Sequence, residues 1–276
     1  MCDFLKVTRS SYYKWLKGSI SKRKAENTML TNEIVKIFNN SKQTYGSPRI
    51  TEELRRMDIN VSRPRVAKLM KKAGCKSKVK KKYRVTTDSN HKYPIAENIL
   101  NRNFKPNRIN KAWVSDITYI RTRQGWMYLT IILDLFDRQI IGWALSKTMH
   151  TNKTIIPAWR MAISKRQITD ELIFHSDRGV QYACNRFTNI LRSHPLVKQS
   201  MSRRANCWDN AVAESFFKTL KTELIYHQKY NTISEAEISV FEYIETWYNR
   251  KRLHSSLGYL TPVEFELKYY QVNNAA

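Results

Sequence analysis

The chain has 276 residues and carries 49 Lys and Arg against 23 Asp and Glu, a net charge of +26. That length suits one large or two modest domains, and the apolar content allows a sizeable core. So basic a chain points to a polyanionic partner, nucleic acid before a membrane surface.

The charge is uneven. Residues 1–110 hold 27 basic and 8 acidic side chains, and residues 111–276 hold 22 and 15. The cysteines, Cys2, Cys75, Cys184 and Cys207, show no metal-ligand spacing and suggest no disulfide framework, which predicts a reducing, cytosolic compartment. The longest apolar run, Tyr128 to Leu133, is too short to span a membrane, and Met1 is followed by Asp3 and Lys6 rather than by a signal-like apolar stretch.

In chain order, Tyr12, Tyr13, Trp15 and Leu16 sit in a short predicted helix capped by Ser10 or Ser11 and stopped by Gly18. Residues 1–24 read as the remnant of a helix-turn-helix. Residues 25–39 place Met29, Leu30, Ile34, Ile37 and Phe38 at helical spacing. In "YGSPRITEELRRMDINVSRPRVAKLMKKAG", Ser47 caps a helix with Pro48 at its first position, Met57–Val61 turns, and Ser62 opens a second helix closed by Gly74. Two short helices so joined fit a helix-turn-helix over 25–74, with Arg63, Arg65 and Lys68 where groove contacts are made. A small bundle with solvated basic faces is the plain alternative. Residues 75–110 are basic, contain Pro94 and Pro106, lack helical periodicity, and read as a linker able to track phosphates.

After Lys111 the texture changes. "AWVSDITYI" alternates, with Val114, Asp116, Thr118 and Ile120 on one face. Two further strands flank a turn near Phe136–Gln139, and a helix is expected over 152–166. "ELIFHSD" is a buried strand ending at Asp177, 184–193 a helix, "VKQSM" a strand, and a long helix starts near Trp208. Three strands, then helix and strand in alternation, predict a ribonuclease-H-like α/β core over 111–227: a five-stranded mixed sheet with helices on both faces. A short helical extension occupies 228–276.

Cleavage of a phosphodiester by two metal ions needs carboxylates converging on a pair of ions, and magnesium prefers such oxygen ligands. Asp116 in the first strand, Asp177 at the end of the fourth and Glu214 in the last long helix suit that chemistry, because the first and fourth strands are neighbours in this strand order. Each also has a structural reading: a strand-edge aspartate, a turn former before Arg178 and Gly179, and a charge favoured at a helix N-terminus. Asp134 and Asp137 compete but lie in a turn context. Asp209 suits a cap, and Glu223 falls off the Glu214 stripe and reads as a surface charge. Lys218 and Lys221 share the Glu214 stripe, and Arg203 and Arg204 lie in a basic loop that could hold DNA. His175 reads as structural.

"WVSDITYI", "HSDRGVQY", "MSRRANCWDNAVAESFFKTLKTE" and "YNRKRLHSSLGYLTPVEFE" resemble the OrfB product of bacterial insertion sequences of the IS-three family, over nearly the whole chain. That family is similar to retroviral integrases in its catalytic core. The resemblance implies a DDE transposase: Asp116, Asp177 and Glu214 as the triad, Lys221 at the family's basic position, and two magnesium ions with manganese as substitute. It also implies double-stranded DNA, both transposon ends and target, as partner, a homo-oligomer on that DNA, an upstream-frame partner or fusion, and a bacterial cytoplasmic location at the nucleoid. The spacing from Asp177 to Glu214 is one residue longer than the family's usual one, the extra residue falling within "LRSHPLVKQS". Two rival readings are a nuclease of RNA–DNA hybrids and a catalytically idle DNA-binding regulator.

Overall fold

The computed structural model describes residues 6–18, 21–78, 93–204 and 206–274, together with Cys2 and Phe4. The chain divides into two compact units, Met1–Lys78 and Val79–Ala276. The middle of the expected linker, 79–92, lies outside the described residues.

The first unit is helical: α1 (Arg9–Leu16), α2 (Lys22–Asn40), α3 (Ser47–Arg56) and α4 (Arg63–Lys72). The cap of α1 is Thr8, not Ser10 or Ser11, because its hydroxyl accepts the Ser11 backbone N–H at 3.2 Å. Likewise α3 begins at Ser47 itself, with Gly46 as its cap and Pro48 in the first turn, where a missing N–H costs nothing. Leu30, Ile34 and Phe38 of α2 meet Ile50 and Leu54 of α3 and Val66, Leu69 and Met70 of α4 in a small core, while Met29 is exposed. Asp58 takes a positive φ in the turn joining α3 to α4, and Gly74, with φ of 71°, ends α4 in the left-handed conformation that glycine adopts without a Cβ clash.

The second unit is built on β1 (Ala112–Thr122), β2 (Gly125–Asp134), β3 (Ile140–Ser146), β4 (Leu172–Ser176) and β5 (Val197–Met201). Their order across the sheet is β3-β2-β1-β4-β5. β1, β2 and β3 pair antiparallel, as a meander joined by short turns allows, whereas β4 and β5 run parallel to β1 and need helical crossovers. Those crossovers contain α5 (Ile155–Lys165), α6 (Val180–Ala183) and α7 (Asn185–Arg192); α6 has four residues, too few to show helical periodicity in the sequence. One face of the sheet, through Trp113, Ile132, Ile141 and Phe174, packs on Trp159 of α5 and Phe187 of α7. Gly142 sits so close to the α5 backbone that a Cβ there would run into the carbonyl of Ala158. Beyond β5, α8 (Ala211–Glu223) runs against β1, with Phe216, Phe217 and Leu220 buried. α9 (Ile233–Phe241) continues directly into a π-helical stretch, Glu242–Tyr248, and α10 (Pro262–Asn274) closes the chain.

Residues 93–110 form no helix or strand, yet Leu100 and Ile109 are buried and Asn98 and Arg102 bond to Asp209. This stretch is therefore attached to the second unit. Among the described residues, no helix is long and apolar enough to cross a membrane.

Candidate active site

β1 and β4 pair in parallel from Ala112↔Ile173 to Val114↔His175, and there the pairing stops. Asp116 and Asp177 each lie two residues further along, so the same register sets them level with each other where the two strands part. Carboxyl ends of adjacent parallel strands are where open α/β sheets expose a crevice. Freed from a β4 partner, the N–H of Ile117 donates to Oδ1 of Asp116 at 2.8 Å. Oδ1 of Asp177 accepts the N–H of Gly179 at 2.9 Å, the turn-forming bond its sequence context suggests. A Cβ on residue 179 would stand 3.0 Å from that oxygen, so glycine lets the loop fold over the carboxylate.

The third carboxylate arrives on α8. Asn210, at the start of that helix, donates from Nδ2 to the carbonyl of Ser115 at 3.0 Å, which fastens the helix start beside Asp116. Glu214 follows one turn later and is half-buried.

These groups act on one another. Burial pushes the Asp116 carboxyl well above its ordinary range; Asp177 and Glu214 push it further, against the Ile117 N–H and Lys221. Burial, then Asp177, raises Glu214. The Tyr182 hydroxyl, 2.9 Å from Ser115 Oγ, is also raised by burial and by the two aspartates. Lys221 is lowered by burial, against the pull of Asp116, and its Nζ stands 4.8 Å from the centre of the Tyr119 ring. Asp116 and Glu214 are thus raised by burial and by neighbouring carboxylates, and Lys221 is the cation that acts against this at Asp116.

That donor set fits a hard divalent cation. Carboxylate oxygens are the ligands magnesium prefers, and a bound dication reverses both causes of the raised values. Among the described residues no three His, Cys, Asp or Glu side chains stand close enough to hold one ion.

The sequence matches the integrase core domain family over residues 106–207 and again over 214–269, and an HTH-like domain family over 24–83. A protein of insertion element IS600 from Shigella sonnei, named only by its 31 kDa size, is 41% identical over 99% of each chain. Transposase InsF of insertion sequence IS3A from Escherichia coli is 37% identical over 97% of this chain and 93% of its own. The chain belongs to the IS3-family transposases. The catalytic core domain of BIV integrase, a solved structure, is 17% identical, covers 60% of this chain and 99% of its own, and superposes with a TM-score of 0.45.

The remaining residues singled out in the sequence of the transposase fall in different places. Lys218 is exposed on α8, and Lys221 is half-buried beside the carboxylates. Arg204 is exposed. Arg203 is held by Asp209, which accepts from its backbone N–H at 3.0 Å, its Nε at 2.9 Å and its Nη2 at 2.8 Å. In the first unit Arg63 and Lys68 are exposed, whereas Arg65 turns back onto α2, donating to Asn27 and Glu26.

Two sequence expectations are corrected. Asp209 is no cap: its side chain is fully buried, and it gathers Arg203, Asn98 and Arg102 around the 3-10 turn Cys207–Asn210 that leads into α8. Its carboxyl is lowered, first by the Arg203 hydrogen bond. Glu223 is no surface charge. It lies at the end of α8 with its side chain only 9% exposed, accepts from Nε and Nη2 of buried Arg252, and receives the Tyr243 hydroxyl at 2.9 Å. Partners 29 and 20 residues away leave no local trace in the sequence. Asp134 and Asp137 are structural, as their context suggests: both pair with buried Arg166, which also reaches Glu266 of α10. His175 is buried with its ring nitrogens on Ser200 and Ser202, and burial drops its pKa to about 4.

Proposed function

We propose that this transposase cuts DNA at the ends of its insertion sequence and joins the freed 3′-hydroxyl to another strand, with Asp116, Asp177 and Glu214 as its catalytic carboxylates. The observation that carries the proposal is the shared register: β1 and β4 set Asp116 and Asp177 level where their pairing ends, and α8, fastened to Ser115, brings Glu214 to them. Asp116 and Asp177 would hold one magnesium ion and Asp116 and Glu214 the other, with manganese as substitute; when bound, the ions supply activation of the attacking oxygen and stabilisation of the leaving one.

The chain's own groups prepare that site. The Ile117 and Gly179 N–H groups orient the two aspartates. Lys221 and Lys218 offer cations to phosphates of the strand lying along α8, Arg203 and Arg204 offer guanidiniums from the loop before it, and Arg63 and Lys68 serve the duplex at the helical unit, with Arg65 a lesser contact because Glu26 and Asn27 already hold it. No covalent intermediate is required, so no serine, tyrosine or cysteine nucleophile is assigned. His175, neutral and bonded on both ring nitrogens, is left out of the chemistry. Because two ends must be brought together, the protein works as a dimer or larger assembly on DNA, aided by an upstream-frame partner or fusion. The test is incubation with a duplex bearing the element's own end, with and without magnesium. The expected result is magnesium-dependent nicking followed by strand joining, both absent in Glu214→Gln.

A further inference from the structure

Six of the seven tryptophans have work within the fold. Trp113 and Trp159 are buried 5.7 Å apart. Trp143 donates to Glu245 and Trp247 to Glu223. Trp126 has the Arg121 guanidinium over its ring and Tyr119 against it, and Trp15 lies 6.3 Å from Tyr12. Trp208 differs. At 69% exposure it is the most exposed large aromatic side chain described in 93–274, and no ring or cation among the described residues lies against it.

Its backbone, in contrast, is pinned. Trp208 sits in the turn Cys207–Asn210, followed by Asp209, buried and bonded to two arginines, and by Asn210, bonded to the carbonyl of Ser115. With successive Cα atoms about 3.8 Å apart, the indole is rooted within about 8 Å of the Cα of Asn210, at the edge of the carboxylate site. An indole held out to water forgoes the burial that usually stabilises tryptophan. Arg204 precedes it and Lys218 follows, both exposed, while the buried Asp209 beside it is matched by Arg203 and Arg102. A flat apolar ring among phosphate-binding cations is the chemistry that holds a nucleobase and its backbone.

We propose that Trp208 is a stacking platform for an unpaired base of the DNA strand entering the carboxylate site. This rests on the strand being cut at Asp116, Asp177 and Glu214. A paired base has no open face, so the duplex must be parted beside the scissile phosphate, and the indole compensates for the lost stacking.

The test uses the full chain in EDTA, so that nothing is cut. Two probes carry the element's end as duplex with a short unpaired overhang, one with bases in the overhang and one with abasic sugars. The wild-type protein binds the base-bearing probe about 5- to 150-fold more tightly, the range one base–aromatic stack gives. Trp208→Phe keeps most of that preference. Trp208→Ala loses it while binding blunt duplex as before, and it melts close to the wild type because Trp208 is 69% exposed. An unchanged preference in Trp208→Ala, or none in the wild type, overturns the proposal. Because the readout needs no metal, a protein that stacks the base yet never cuts DNA refutes only the catalytic reading.

Discussion

Burial and two neighbouring carboxylates raise the Asp116 carboxyl, so its ionised form is expected to cost the fold stability. Such a residue persists where something outside the chain relieves it. Without metal, Asp116→Asn is therefore expected to melt above the wild type, by roughly 2–4 °C for each kcal/mol relieved. Magnesium should raise the melting temperature of the wild type by mass action and leave that of the variant unmoved. Equal shifts in both proteins would remove Asp116 from the metal site. The strand positions of the aspartates were legible in the sequence because strand alternation and turn residues are local properties. The role of Asp209 was not, since its partners Asn98 and Arg102 lie more than a hundred positions away.

At the scale of the element, α8 is the part whose placement matters most. Its start is fastened by Asn210 to β1, and its end by Glu223 to Arg252. Both members of the Glu223–Arg252 pair are buried, so removing one charge leaves the other dehydrated and unmatched. Glu223→Gln is expected to cost about 3–5 kcal/mol in urea unfolding, and a loss below that range would mean the pair is better solvated than its burial indicates. The helical unit gives a second expectation. Arg63 and Lys68 are open to solvent while Arg65 is already bonded to Glu26 and Asn27. Replacing Arg63 or Lys68 by alanine should weaken DNA binding and flatten its salt dependence by about one unit of slope each, and Arg65→Ala should do less. Equal effects at all three positions would show that DNA draws Arg65 away from α2. Helix α4 itself was legible from its apolar spacing, but the side-chain bond that withdraws Arg65 was not, because it joins residues 38 apart.

Across the whole molecule, a strongly basic chain carries a helical unit and an α/β unit whose described crevice gathers acids. Strand order was legible because antiparallel neighbours need only turns, whereas the parallel strands announce themselves by intervening helices. The four-residue α6 and the π-helical stretch Glu242–Tyr248 were not, since neither is long enough to impose its own period. The proposed reaction assigns DNA capture to the cations of the helical unit and cutting and joining to the carboxylates of the α/β unit. The most direct test is a strand-cleavage and joining assay on the element's own end DNA, with any upstream-frame partner supplied, comparing the wild type with Asp116→Asn, Asp177→Asn and Glu214→Gln. Nicking and joining by the wild type should require magnesium or manganese. Each variant should lose more than about 100-fold, beyond what removing a mere second-layer metal partner costs. Cleavage that proceeds without a divalent ion, or that survives in any of the three variants, would contradict the assignment of these carboxylates.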